Sequence, residues 1–342
     1  MSNNTYRLVC LSNYLLALER GTGMRVLLTG AFGNIGMSTL QELLKQGHKV
    51  RCFDLRNKTN EKVVRRLGQL VEVVWGDLRR PQDVAAAVQD QDAVIHLAFI
   101  LPKLSVTGME SETQPDLARD VNVGGTRNLL DAMRALPIPP KIVFASSMHV
   151  YGRTHDCPPP RTALDPVQPV EHYARHKVEC EEMVQSSGLQ WAILRLAATL
   201  PLALRLDPGM FDVPLTNRME FVHTRDVGLA FANAVSSQDI WGKTLLVGGG
   251  PACQFYYRDL VQYILGAMGI GRLPENAFST TPFATDWLDT QESQNLLCYQ
   301  QRTLDDYVRD MKALLGFRFH LTRLFGPLVR YWLLRQSPYY TG

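Results

Sequence analysis

Tyr173-Ala174-Arg175-His176-Lys177 sets a phenol and an ammonium four residues apart. On a helix that spacing puts both on one face. A neighbouring ammonium favours tyrosinate and would lower a phenol pKa of about 10, which makes Tyr173 usable as a general acid or base. Such a pair on its own also fits an ordinary solvated helix face, so the upstream residues decide. The apolar run Lys141–Ser146 leads into Ser147-Met148-His149. In an open parallel sheet, ligands lie beyond the carboxyl ends of the strands. The Ser147 hydroxyl is therefore placed to hold a substrate oxygen, and Ser147, Met148 and His149 are the expected substrate contacts.

A second constellation is Thr29-Gly30-Ala31-Phe32-Gly33-Asn34-Ile35-Gly36, which directly follows the apolar run MRVLLT. A tight strand-to-helix turn needs backbone angles that glycine adopts cheaply, and close approach to a pyrophosphate excludes side chains. The N–H groups and dipole of the helix that follows favour an anion. Gly30, Phe32, Gly33, Asn34, Ile35 and Gly36 are thus expected to bind cofactor phosphates. Asp54 closes the second apolar run, 24 residues beyond Gly30. A carboxylate there accepts hydrogen bonds from both ribose hydroxyls of NAD and repels a 2′-phosphate. Arg56 could instead receive that phosphate, so NAD is expected ahead of NADP. Asp77 and Leu78, just past the third run, are placed to contact the adenine, although Asp77 reads equally well as a turn or cap aspartate. Arg79 could reach the same side.

Other candidates carry less. His172 and His176 have the spacing of helical zinc ligands, but no Glu follows His172, and no metal is expected. His96 ends an apolar run and reads as a hydrogen-bonded core histidine. Trp75, Trp191, Trp241 and Trp287 read as core residues. The six cysteines include no CxxC pair, which argues against zinc ribbons and dithiol redox chemistry and suits reduced thiols in a cytoplasmic protein.

These residues need a frame. Strand patterns at Met24–Thr29, Lys49–Asp54, Val71–Trp75, Ala93–Leu97, Lys141–Ser146 and Trp191–Leu196 alternate with helical patterns at Met37–Gln46, Val84–Val88, Val121–Leu136 and His172–Ser186. That alternation predicts an α/β fold, a Rossmann-type doubly wound parallel sheet covered on both faces. After Arg195 the pattern loosens. The expected organisation is a dispensable N-terminal extension over 1–23, a cofactor-binding domain with the catalytic residues over 24–196, a smaller C-terminal substrate lobe over 197–315 interleaved with the sheet, and a tail over 316–342. With 342 residues, 36 Lys+Arg against 33 Asp+Glu and 46% hydrophobic residues, the chain is an ordinary globular one, and its net +3 gives no argument for nucleic acid.

In the order TGAFGNIG, Asp54, GDL at 76–78, HLA at 96–98, NVGGT at 122–126, SSMHVYG at 146–152, YARHK at 173–177 and FVHTRDV at 221–227, the chain resembles the extended short-chain dehydrogenase/reductases, the NAD-dependent epimerase/dehydratase family. The likeness covers residues 24 to about 315. It implies that Tyr173 is the catalytic acid/base and that Lys177 binds the nicotinamide ribose and tunes Tyr173. By the same likeness Ser147 polarises the substrate carbonyl or holds the alcohol. Asn122 steadies the active-site helix, and Leu97 and Ala98 line the cofactor. Asp226 is read as structural. The likeness also implies a homodimer through the helices bearing Asn122 and Tyr173. Two departures narrow the reading. Met148 and His149 stand where the family's sugar-nucleotide dehydratases carry an acidic pair. The segment after Arg195 is short and apolar, as is the loop FILPKLSV, which suggests a smaller or more hydrophobic substrate than a nucleotide sugar.

The expected function is thus an NAD(P)-dependent oxidoreductase moving hydride between nicotinamide and an alcohol or ketone. The alternatives are an NAD-dependent sugar or nucleotide-sugar epimerase and a non-catalytic dinucleotide-sensing protein. The tail stands apart. No acidic residue follows Asp310, whereas Lys312, Arg318, Arg323, Arg330 and Arg335 are basic, and Phe317, Leu321, Leu324, Leu328 and Trp332 recur at helical spacing. Gly326-Pro327 should break or kink that helix. Docking on its own domain is the favoured expectation, ahead of a membrane-surface or partner-binding helix.

Overall fold

The computed structural model describes residues 23–102, 110–203 and 207–341. The extension expected over residues 1–23, apart from its last residue, and the second half of the apolar loop FILPKLSV lie outside the described residues.

Seven parallel strands form the central sheet: β1 (Arg25–Thr29), β2 (Lys49–Asp54), β3 (Glu72–Trp75), β4 (Ala93–His96), β5 (Lys141–Ser147), β6 (Trp191–Leu196) and β8 (Lys243–Val247), in the order β3-β2-β1-β4-β5-β6-β8. Successive side chains of a strand point to opposite faces. Val26, Leu28, Cys52, Ile95, Val143 and Leu194 therefore serve one core layer, while Leu27, Phe53, Val94, Phe144 and Ile193 serve the other. The first layer is covered by α1 (Asn34–Lys45) and α7 (Thr224–Ser236). Gly228 lets these two helices meet, since a Cβ there would lie 2.5 Å from the Ser38 carbonyl carbon. The second layer is covered by α3 (Pro81–Ala87), α5 (Gly125–Arg134) and α6 (His172–Gln185). Between β2 and β3 runs α2 (Lys58–Leu67), a helix the sequence reading did not place. It is short and mostly polar, with Val63, Val64 and Leu67 alone forming its apolar side, so little apolar sequence marks it.

The predicted helix Val121–Leu136 is longer and interrupted. It begins as α4 (Pro115–Arg119), passes through a π-helical turn at Asp120–Gly124 that contains Asn122, and continues as α5. Strand order reverses between β1 and β4, which opens a crevice at their carboxyl ends.

The chain beyond Leu196 is woven into this frame. α7 and β8 return to the sheet, while β7 (Arg218–Glu220) pairs antiparallel with β9 (Gln254–Tyr256). Around that pair a second core gathers Phe211, Met219, Phe221, Tyr257, Leu260, Tyr307 and Met311. It is enclosed by α8 (Tyr257–Ala267) and α10 (Leu304–Leu315), while α9 (Gln291–Leu297) packs near β8. The tail is two helices, α11 (Arg318–Leu324) and α12 (Gly326–Gln336), separated where Gly326-Pro327 was expected to break it.

Candidate active site

Thr29 ends β1, and Gly30 turns the chain at φ +66°, a left-handed value that glycine tolerates best. A Cβ on Gly30 would lie 2.8 Å from Ala98 N, and one on Gly36 would lie 2.1 Å from Gly30 O. Both glycines are therefore required by close backbone approach. Gly33 N-caps α1 and offers no side chain to its first turn, which also carries no acidic residue. That leaves the helix N-terminus with the N–H character that suits a phosphate. Asp54 sits beside this turn. Its Oδ2 accepts from Phe32 N at 3.0 Å and its Oδ1 from Leu55 N at 2.8 Å. Burial pushes the Asp54 carboxyl up, and those N–H donors pull against it. The glycine cradle and the fixed carboxylate fit a dinucleotide.

Arg56 is bound to Glu61, Nε to Oε1 at 2.8 Å, and is largely exposed. Asp77 takes the turn role: it accepts from the Arg79 backbone N–H at 3.0 Å and from the Arg79 guanidinium at 2.6 Å. The Arg79 guanidinium holds the Asp77 carboxyl below its ordinary range. Leu78 is buried against Gly125, where a Cβ would lie 2.6 Å from its own.

Behind the crevice floor lies a fully buried chain of polar groups. Thr126 Oγ1 donates to Asn122 O at 2.5 Å, so it accepts from His96 Nε2 at 3.0 Å. His96 Nδ1 then accepts from Thr29 Oγ1 at 2.7 Å, and Thr29 Oγ1 accepts from the N–H groups of Leu97 and Ala98. Burial lowers the His96 pKa to about 3, so the ring is neutral, as this chain of donors requires. The chain locks the β4 end at Leu97 and Ala98 beside Gly30. Asn122 extends it: Oδ1 accepts from Ile100 N at 2.7 Å, Nδ2 donates to Ile100 O at 3.1 Å, and Nδ2 lies 3.4 Å from His176 Nδ1. One side chain thus joins the loop after β4 to α6.

α6 starts one residue before Tyr173. Its cap comes from far in sequence: Glu112 accepts from His172 N at 3.1 Å and from Tyr173 N at 2.9 Å. Tyr173 and Lys177 share the face turned to β5, as their spacing predicted, and both are buried. The Ser147 side chain lies near enough to the Tyr173 phenol to favour its ionised form. Lys177 Nζ donates to Ala145 O at 2.6 Å and lies 3.4 Å from the centre of the Phe99 ring.

One expectation is corrected. The ammonium was expected to lower the Tyr173 pKa. Instead burial raises that phenol well above its ordinary value, with only the Ser147 side chain pulling down. Lys177 itself is lowered to about 7 by burial. Its Nζ is anchored on β5, 5.6 Å from the Tyr173 ring centre. Desolvation outweighs proximity here.

His149 faces the crevice. Its Nδ1 lies 2.8 Å from Glu171 Oε2, and its ring is edge-on to Tyr173 at 6.0 Å and to Phe283 at 5.6 Å. Met148 differs: its side chain packs in the sheet core, 2% exposed, so the substrate contact expected of it falls to its neighbours. Beside Glu171 and Phe283 lies a cavity of about 310 Å³, also lined by Arg153, Ser279, Thr281 and Tyr339. Sequence reasoning missed Phe99, Glu112, Glu171 and Phe283. Only Phe99 carried a signal, being next to Ala98 at the end of β4. Asp226, read as structural, accepts from Gln301 N, Arg302 N and the Arg302 guanidinium, away from the crevice residues.

Residues 26–200 match the NAD dependent epimerase/dehydratase family. UDP-glucose 4-epimerase 4 of Oryza sativa subsp. japonica is 32% identical over 231 residues, covering 62% of this chain and 59% of that protein. UDP-glucose 4-epimerase of Klebsiella pneumoniae is 38% identical over 137 residues, covering 38% of this chain and 93% of that sequence. Among solved structures, the UDP-glucose-4-epimerase of Stenotrophomonas maltophila with bound NAD and formylated UDP-arabinopyranose is similar at TM-score 0.69 and 24% identity, over 87% of this chain and 99% of that one. The UDP-glucuronic acid 4-epimerase of Bacillus cereus, in complex with UDP-glucuronic acid and NAD, gives TM-score 0.70 at 22% identity, over 85% of this chain and 100% of that one. These two likenesses are of fold.

Proposed function

This chain belongs to the NAD dependent epimerase/dehydratase family, and we propose that it moves hydride at a secondary-alcohol carbon while Tyr173 exchanges the hydroxyl proton. The observation that carries the reading is the buried Tyr173–Lys177 pair on one face of α6, with Lys177 Nζ anchored on Ala145 O at 2.6 Å at the carboxyl end of β5, where Ser147 stands. NAD, when bound, supplies the hydride acceptor and donor at its nicotinamide ring. Gly30 to Gly36 would hold its pyrophosphate at the start of α1, Asp54 the adenosine ribose and Lys177 the nicotinamide ribose. Arg56, engaged by Glu61, supports NAD over NADP. The raised phenol keeps Tyr173 protonated near neutral pH, so it is ready to donate to a ketone oxygen as the carbon is reduced. In the oxidation direction Tyr173 must first lose that proton, and it then takes the proton of the alcohol. Ser147 and His149 orient the oxygen, and the adjoining cavity takes the rest of the substrate.

A second reading is epimerisation, in which the same residues serve removal of hydride and its return to the opposite face of the carbon. The curated relatives, UDP-glucose 4-epimerases, favour it. Against a nucleotide sugar stands the apolar, short segment that follows β6. Two measurements test these readings. Tyr173→Phe should lower turnover about a thousandfold and leave the NADH fluorescence titration within about threefold of the parent. Parental turnover by the variant would refute the mechanism. Formation of UDP-galactose from UDP-glucose without net NADH would select epimerisation, while NADH binding with no turnover of any alcohol or ketone tested would leave dinucleotide sensing.

A further inference from the structure

We propose that the α11–α12 hairpin is a binding surface for an anionic phospholipid bilayer. The hairpin is seated firmly on the second core, in line with the docking expected of the tail. Leu333 is fully buried, Val329, Leu334 and Phe319 pack beneath it, and a Cβ on Gly326 would lie 2.0 Å from Gly269 O. Ser337 Oγ donates to Ala277 O at 2.6 Å. Docking uses only one side of each helix. The other side presents Phe317 at 72% exposure, Leu324 at 71% and Leu328 at 64%, together with Leu321, Tyr331 and Trp332. A continuous apolar face of this kind on a rigid support marks a contact surface rather than a scatter of surface hydrophobes.

Charge decides the occupant. Arg318, Arg323, Arg330 and Arg335 are exposed on the same two helices, Lys312 borders them, and no Asp or Glu follows Asp310. The last carboxylate before the hairpin, Asp310, is taken up by Arg225 at 2.9 Å. A two-fold contact with a second copy would press these cations against themselves. A bilayer with anionic headgroups offers both partners at once, acyl chains for the aromatic and leucine side chains and phosphates for the guanidinium rim. The Arg335 guanidinium already lies 5.8 Å from the Tyr331 ring centre and Lys312 Nζ 5.2 Å from that of Phe319, so cations and aromatic rings share this face. No helix among the described residues is long and apolar enough to cross a membrane, so the contact is interfacial. The chain leaving α12 runs to Tyr339, which lines the cavity beside the candidate site and donates to Asp212 at 3.1 Å.

The test uses the full chain and vesicles of phosphatidylcholine with or without phosphatidylglycerol. Co-sedimentation with the anionic vesicles, little with phosphatidylcholine alone, and a blue shift of Trp332 emission that Trp332→Phe removes are the expected results. The triple substitution R318Q/R323Q/R330Q should weaken the partition by about a hundredfold, and added salt should do the same. Leu324→Glu with Leu328→Glu, at exposed positions the fold does not need, should abolish it with the melting curve unchanged. No sedimentation with anionic vesicles at low salt would overturn the proposal. Equal binding to neutral vesicles, or a dimer in sedimentation velocity that the two Glu substitutions dissociate, would do so too.

Discussion

Two carboxylates, half-buried Asp54 and fully buried Glu220, one in each half of the molecule, show how differently the halves are held. Asp54 ends a sheet strand and accepts N–H groups from Leu55, its neighbour, and from Phe32 in the adjoining turn. Glu220 ends β7 and accepts from Gly250 N at 3.0 Å, Gln254 Nε2 at 2.9 Å and Leu288 N at 2.8 Å. Burial raises both, Glu220 to about 7. The first is part of a local motif whose parts stand at readable spacings. The second is the meeting point of the turn before β9, β9 itself and the distant segment at Leu288. The sheet half is organised by period and by turn chemistry, whereas the lobe is organised by side chains that pin distant backbone.

The sharpest way to break this contrast is at Asp286. Only 1% exposed, it holds Arg218 at 2.5 Å, accepts from Thr154 Oγ1 at 2.7 Å and lies 3.4 Å from Arg161 Nε. Arg218 in turn donates to the Thr154 and Cys157 carbonyls, so one cluster ties the lobe to the loop after β5. Asp286→Ala leaves the Arg218 guanidinium without its carboxylate, while Arg161 keeps Asp165 at 2.8 Å, and should cost about 3–5 kcal/mol. Urea unfolding would show it as a lower midpoint at constant slope. Arg218→Met in the same chain should recover part of the loss. A midpoint unchanged by Asp286→Ala would show that the lobe is held by its apolar core alone.

Lys177 supplies the matching test within the sheet half. Its folded pKa of about 7 lies below the ordinary value of 10.5, so between these limits the unfolded chain binds more protons than the native one. Stability from this group therefore rises as pH increases through that window, and its cost is fully developed below pH 7. Lys177→Met removes the cost while keeping apolar contact with Phe99. The variant should gain melting temperature over the parent at pH 6, with the gain shrinking toward pH 10, while turnover is lost. An equal shift at both pH values would mean that the burial of charge is not what Lys177 contributes.

The same contrast explains what could be read from residues alone. Six of the seven strands of the main sheet were legible from their apolar period, as were the glycine turn, Asp54 and the common face of Tyr173 and Lys177. All of these depend on spacing within one element or across one turn. The direction of the Tyr173 shift was not legible, because it depends on how much chain covers the phenol, and that cover comes from other elements. Nor was the Glu112 cap on α6, which lies 60 and 61 residues from the two N–H groups it accepts. The π-turn at Asn122 escaped as well, since a one-residue bulge leaves the apolar pattern of a helix nearly unchanged. Met148 was placed with Ser147 and His149 by adjacency, yet it packs into the sheet core while His149 faces the crevice.

The smallest effects belong to the cofactor's adenosine end, and there the local character of the sheet half makes a paired prediction. Asp54 is held by two backbone N–H groups and should be the residue that selects NAD. Asp54→Asn keeps the shape but removes the charge that repels a 2′-phosphate, so NADH binding should weaken about tenfold while NADPH binding improves. Arg56 should do little, because Glu61 already occupies its guanidinium and exposure screens what remains. In fluorescence titrations Arg56→Ala should leave both Kd values within about twofold, an effect of the size expected for an exposed pair. A marked loss of NADPH binding on Arg56→Ala would instead make Arg56 the phosphate receptor, and would show that the Glu61 pair opens when a stronger anion arrives.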